Sequence, residues 1–350
     1  MFKIKNTLNL ILTFAAVLLI VLLTAFSDIC KKGAGRGLLI CGNVIIPSLF
    51  PFMVCVLIIM KTENDLLFKI LPSYLKKNSV IFKILFLSML GGYPVGSKLI
   101  NELYIQNRID IKTANIMQLY CVNAGPAFII SAVGNGVFNS TVIGIILFIS
   151  HITSSVLIAV CTMKFTKVNF CDYKKSEKRI GFSEKFVLST SEAASSVMGI
   201  CVYVIFFSVI NEYIEYFGKN FPILKNAVYF TEVTSGIAHT KNVIFVSFLL
   251  GFAGISIWFQ IFSISNRAKI NLKLFAAGRL LHGGLSSILT YTALKIFKIT
   301  IPAVSNNLLN GTKFFYKDFS LTISLAVMLI VFLIYLYSKN YSRKIIDDML

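Results

Sequence analysis

Between Gly91 and Lys98 the chain reads GGYPVGSK, and this stretch interrupts an apolar run, Val80–Leu90, that otherwise leads into more helix-like sequence. Glycines at 91, 92 and 96 with Pro94 among them cannot continue a regular helix. Inside a membrane such a break is costly. Lipid satisfies none of the freed N–H and C=O groups, so they must face protein or a wet cavity. Broken helices near the bilayer midplane are how many secondary transporters build a solute site. Lys98 stands just past the break, where a charge is expensive.

Composition puts the chain in a membrane. Of its 350 residues 56% are hydrophobic and 14% charged, and the mean hydropathy is +0.79, values that place it with integral membrane proteins. A net charge of +19 would point a soluble protein towards nucleic acid. Here the basic residues fall between apolar spans, where positive-inside bias and anionic lipid account for them. No nucleic-acid motif is present, so no nucleic-acid partner is expected. The seven cysteines form no CxxC pair, and the three histidines show no HExxH spacing. No Walker A, GxSxG or paired intramembrane aspartates appear, so neither an enzyme, a metal site nor a cofactor is expected.

In chain order, Leu8–Phe26 reads as a first transmembrane helix, too long for a signal-peptide core. The span 37–60 follows, kinked at Pro47 and Pro51. Leu66–Leu75 is too short to cross a bilayer of about 30 Å and reads as a re-entrant or interfacial hairpin. A second interrupted span, 114–137, carries the break NAGP at Asn123–Pro126 and ends in Gly134–Gly136. Thr141–Met163 crosses next, then a basic linker at 164–185 that reads as cytoplasmic. The segments 186–210, 226–240, 243–264 and 274–297 follow, with Gly251 and Gly254 interrupting the third. A hairpin-like region, 300–318, and a final helix, Leu321–Tyr337, precede a basic tail.

An internal repeat emerges when the chain is shifted on itself by 159 residues, the offset from Gly92 to Gly251. Ser97 then meets Ser256, Ile105 meets Ile264, Asn107 meets Asn266 and Arg108 meets Arg267. Paired interrupted segments in two halves are the best sequence pointer to a transporter site. The expected fold is therefore an all-α integral membrane protein, a polytopic helical bundle with two inverted repeats containing broken helices and re-entrant hairpins.

The intramembrane polar residues admit two readings each. Lys98 and Glu102 are four apart and can neutralise each other, or Lys98 can face the break and attract an anion. Arg279 and His282 share a helical face. Either they contact solute, or Arg279 snorkels and His282 bonds a backbone carbonyl. Glu232, beside Thr234 and Ser235 in a short semi-polar element, is an exposed loop acid or an ion-coupling carboxylate. Gln118, Asn123 and Gln260 are helix–helix glue or solute contacts. His151 and His239 attract no functional expectation. The candidate solute-binding set is Gly92, Tyr93, Pro94, Gly96, Ser97, Lys98, Asn123, Thr234, Ser235, Ser256, Gln260, Arg279 and His282, with Glu232 for the coupling ion.

Four segments carry a resemblance: GGYPVGSKL (Gly91–Leu99), NAGPAFIISAVGNGVF (Asn123–Phe138), EVTSG (Glu232–Gly236) and the run from GFAGISIWFQI to LFAAGRLLHGG (Gly251–Gly284). In combination, over roughly residues 34–300, they resemble the YlbJ-type sporulation integral membrane proteins. That family carries two "gate" or nucleoside-recognition domains, also found in concentrative nucleoside transporters. Gly91 and Trp258 depart from its usual pattern. With the spans read above, the expected organisation is an N-terminal transmembrane helix at 1–33, repeats at 34–163 and 186–300, which the resemblance identifies as gate-like, around the linker 164–185, and a C-terminal helix and tail at 301–350. The resemblance implies a secondary transporter in the bacterial membrane, at the mother-cell or outer forespore membrane, moving dipicolinate during spore maturation. It also makes a homo-oligomer plausible. Dipicolinate is a small planar dianion, which cations at Lys98, Arg279 and His282 and half-helix N-termini would suit. A nucleoside-like solute coupled to Na⁺ or H⁺, or a non-transporting assembly factor of the spore envelope, are the alternatives.

Overall fold

In a computed structural model, residues 2–62, 79–165, 181–219, 221, 226–265 and 269–299 are described. The expected hairpin 66–75, most of the linker, and the whole region 301–350 lie outside them. Among the described residues the secondary structure is helical throughout, with no strand. Four stretches are long and apolar enough to cross a membrane: Ser27–Lys61, Thr141–Met163, Phe182–Phe217 and Val243–Ile264. The chain is a helical integral membrane protein.

The N-terminal helix α1 covers Phe2–Ala25. It is followed by α2 (Ser27–Ile40) and α3 (Ile46–Lys61), joined by a π-turn at Cys41–Ile45. The π-turn lies immediately ahead of Pro47, which stands in the first turn of α3 where its missing N–H costs nothing. The span expected at 37–60 thus begins ten residues earlier, at Ser27. Lys31, Lys32 and Arg36 lie on the helix instead of in a connection. The reason is the opposing helix α8 (Phe182–Phe217), whose Glu212 pairs with both Lys32 and Arg36. Gly33 and Gly37 let α2 and α8 touch at the backbone. A Cβ on Gly33 would stand 2.6 Å from Val209 Cα, and one on Gly37 2.7 Å from Ile205 Cα. Small residues four apart on one helix face are a recurrent device for close helix approach in membranes.

Packed on this frame are the interrupted elements. Helix α4 (Ser79–Gly91) stops at Gly92 and α5 (Tyr93–Ile105) restarts. Helix α6 (Ile111–Met117) is capped by Asp110 and ends before an irregular stretch through Gly125, after which a π-helix runs over Ala127–Asn135. Helix α7 (Thr141–Phe165) follows. In the second half, α9 (Val228–Thr231) and α10 (Val233–Ala238) hinge at Glu232. Helices α11 (Val243–Phe252) and α12 (Gly254–Ile264) are separated at Ala253. The last described helix is α13 (Leu272–Ile296), capped by Asn271.

The second long break differs from expectation. The chain turns at Ala253 and Gly254, with φ of +72° and +66°. Gly251 stays helical and does another job. A Cβ there would fall 2.6 Å from Gly283, so it sets the close crossing of α11 on α13.

Candidate functional site

The Gly92 break needs its glycine. At φ +87° and ψ 178° the residue occupies a region that a Cβ makes strongly unfavourable. Pro94 follows within the first turn of α5, where its ring presets the helix and removes an N–H that would otherwise be orphaned. The NAGP break sits alongside: Gly125 approaches the Gly92 backbone so closely that an added Cβ would stand 3.5 Å from Gly92 N. Across from them, the Gly254 turn abuts the Glu232 hinge, with an added Cβ 3.0 Å from Val233 N. Tyr93 ties the two halves together, its hydroxyl donating to the Leu250 carbonyl at the end of α11 (2.8 Å).

These interruptions line a small, partly open cavity. Gly92, Tyr93, Pro94 and Gly125 contribute from the first half; Glu232, Val233, Thr234, Ile257 and Gln260 come from the second. Ile45, Ser48 and Leu49 on the α2–α3 helix, Phe128 on the π-helix, and Ile200 and Val204 on α8 complete the wall. The mostly apolar lining with a few convergent polar groups is that of a small-molecule site.

Its most unusual member is Glu232, only 2% exposed. Its carboxylate caps α10, Oε2 accepting from the Ser235 N–H at 2.6 Å. No ion pair among the described residues involves it, and no lysine, arginine or histidine joins it in the cavity lining. A carboxylate held apart from cations in an apolar cavity is suited to binding a proton or a metal cation together with other oxygens. Thr234 and Gln260 share the cavity lining with it, the Gln260 amide directed to Ser256 Oγ at 3.5 Å.

Other members of the candidate set lie outside the cavity wall, and the structure gives each a partner. Gly96 is where α5 crosses the irregular stretch; any Cβ would collide with the Cys121 carbonyl. Ser97 donates to Gln118 Oε1 (2.7 Å), and Gln118 donates on to Ser265 (3.3 Å). Asn123 donates to Ser88 Oγ and the Tyr120 carbonyl at 2.9 and 2.8 Å. Ser235 supports Glu232 through its backbone, and Ser256 is fully buried beside Gln260.

The three cations expected at the solute are likewise engaged elsewhere. Lys98 reaches across to Glu192 on α8 (3.3 Å) instead of back to Glu102 on its own helix. Arg279, fully buried, clamps the carbonyls left open by the broken segment after α6. It donates to Val122 at 2.6 Å, to Leu119, and more distantly to Gln118 at 3.5 Å. A guanidinium suits this task because its fixed fork carries several donors. His282 bonds the His151 carbonyl through Nε2 (3.0 Å) and lies 3.4 Å from Arg279 through Nδ1. His151, unremarked in the sequence, accepts from the Ala124 N–H at 3.0 Å and holds the NAGP break from behind. Its ring lies against that of His282, the centroids 4.4 Å apart.

The fold and this site define a polytopic helical membrane protein with a carboxylate-bearing cavity between interrupted helices. In sequence the chain is similar to the sporulation integral membrane protein YlbJ of Bacillus subtilis (strain 168), 24% identical over 304 residues that cover 72% of this chain and 74% of that protein. No family model matches the chain, and no solved structure matches it.

Proposed function

We propose that this protein is a secondary carrier acting in a membrane of the sporulating cell, with the cavity as its solute site and Glu232 as the seat of a coupling cation. The observation that carries the reading is the convergence of the Gly92, Gly125 and Glu232 interruptions on one cavity that holds a buried carboxylate without a cationic partner. Capping α10 accounts for one of its oxygens, but burying a carboxylate without a cation costs several kcal/mol, which a coupling ion or proton would offset. The similarity to YlbJ supports the sporulation setting; the outer forespore membrane rests on the family resemblance alone.

The passenger is dipicolinate, moved with a cation. No cationic side chain lines the wall, and a proton or monovalent cation at Glu232 neutralises only that carboxylate, so dipicolinate would carry its own counter-cations, with the N-terminus of α5 at Gly92–Pro94 adding a partial positive charge. A neutral, nucleoside-like solute is the second reading. The same apolar wall with Gln260 and Thr234 favours it.

The test is uptake of radiolabelled dipicolinate and of a nucleoside into proteoliposomes, under an imposed Na⁺ or H⁺ gradient and without one. Dipicolinate accumulation that follows one cation gradient is expected. Uptake of neither solute under any gradient would overturn the carrier reading, and uptake of the nucleoside alone would replace the passenger.

A further inference from the structure

Helix α8 carries acidic residues near both its ends, and each group anchors a cluster. At one end Glu192 is shared between Lys61, the last residue of α3 (2.7 Å), and Lys98 on α5 (3.3 Å). At the other end Glu215 is shared between Arg36 on α2 (3.4 Å) and His239, which closes α10 (3.0 Å). Glu212 beside it pairs with Lys32 and Arg36. From Glu192 to Glu215 the helix rises about 35 Å at 1.5 Å per residue, a little more than the roughly 30 Å of a bilayer's hydrocarbon core. Ile200 and Val204, which wall the cavity, fall midway between them.

The two clusters follow one plan. In each, a carboxylate on α8 takes one cation from the α2–α3 helix and one from an element that starts at the cavity. The α2–α3 helix is bound to α8 through the Gly33 and Gly37 contacts and forms a fixed frame with it. Helix α5 leaves the cavity at Gly92 and delivers Lys98 to the Glu192 end. Helix α10 leaves it at Glu232 and delivers His239 to the opposite end. His239 is also tied to its own helix, Nδ1 lying 2.7 Å from the Ser235 carbonyl. Two interrupted elements thus leave one cavity towards opposite ends of α8: α5 is paired to it in mid-helix through Lys98, which also reaches Ser196 Oγ (3.5 Å), and α10 at its C-terminal end through His239.

Sharing has an energetic consequence. Stripping the last partner from a half-buried carboxylate costs far more than a surface ion pair is worth. Here the frame cation stays behind when the other departs: Lys61 keeps Glu192, and Arg36 keeps Glu215. Each fastening can therefore open at the modest cost of one partly exposed pair.

We propose that these two shared carboxylates are the gates of the cavity, one at each face: Lys98 leaving Glu192 opens it on one side, and His239 leaving Glu215 opens it on the other. The proposal rests on the cavity being the carrier's solute site and supplies that site with two routes of access.

The experiment reads opening, not flux. A Ser48→Cys reporter in the cavity wall, in an otherwise cysteine-free full-length protein, is placed in oriented proteoliposomes. A membrane-impermeant maleimide is then added to either face. Lys98→Met is expected to raise the labelling rate about fivefold from one face, and His239→Gln about fivefold from the other, the change expected for losing one partly exposed ion pair. Lys61→Met, which removes a frame cation, is expected to leave the sidedness unchanged. Lys98→Gln gives the same readout should the methionine variant fail to insert, and Lys98→Arg restores the original rate. Equal increases from both faces, increases from the same face for both variants, or no increase in inserted protein would overturn the gate proposal. Because labelling needs no solute, one-sided labelling in a protein that moves nothing would refute the carrier reading while leaving the gates in place.

Discussion

Replacing Gly92 with alanine tests whether the first break is a built conformation or an ordinary kink. Gly92 holds φ +87° with ψ 178°, a region that costs a residue with a Cβ about 1–3 kcal/mol. Crowding adds little: the nearest atom to the new Cβ is the flexible Leu49 Cδ2 at 3.1 Å, and Gly125 N lies at 3.8 Å. The expected loss is therefore about 2 kcal/mol, nearly all of it backbone strain. At roughly 2–4 °C per kcal/mol for a larger domain, the apparent melting temperature in detergent should fall by about 4–8 °C. The assay is thermal unfolding of the purified full-length protein, followed by loss of the monodisperse peak on size-exclusion chromatography. A Gly92→Ala protein that melts with the parent would show that the chain does not depend on this conformation, and the interruption would lose its place as a specified feature.

Two further substitutions carry distinct signs. Ala253→Gly should raise stability by about 1 kcal/mol, because Ala253 already sits at φ +72° with its side chain buried and glycine relieves that strain; an unchanged or lower melting temperature would count against strain at this turn. Arg279→Met should lower it by about 3 kcal/mol or more, since the carbonyls of Leu119, Val122 and Gln118 lose a buried donor and an unsatisfied group costs about 1–3 kcal/mol. A neutral effect on melting, paired with loss of solute binding, would instead put Arg279 at the solute.

The parts of this architecture that sequence reveals are those where a residue type has one use. Gly92 and Pro94 in an apolar run announce a break, and Asn123–Pro126 announces another, because no helix interior tolerates them cheaply. The helical membrane class follows from hydropathy alone. Glu232 reads in sequence equally as an exposed loop acid or an ion-coupling carboxylate, and only the structure, which buries it in the cavity wall, excludes the exposed loop acid. Ambiguity enters where one residue serves two purposes. Gly251 looks like a bend and is a contact point for Gly283, whereas the bend itself uses Gly254, which the sequence marks, together with Ala253, a residue that gives no such signal. The cations show the deeper limit. A sequence displays a charge but not its partner when the partner is remote: Lys98 meets Glu192 on another helix, and Arg279 meets carbonyls from Gln118 to Val122. Backbone carbonyls are invisible as partners because every residue has one. His151 gives no signal for the same reason, its partner being a backbone group, the Ala124 N–H.

The central claim is that the passenger and its cation meet in the Glu232 cavity. Its most direct test is gradient-driven uptake by the parent protein beside Glu232→Gln and Thr234→Phe, all reconstituted at equal amounts and with matched melting temperatures. Glu232→Gln should abolish the response to the cation gradient while leaving slow downhill exchange, and Thr234→Phe, which fills the wall, should stop both. Parent-like, gradient-dependent uptake in the two variants would place the passenger's route somewhere else in the molecule.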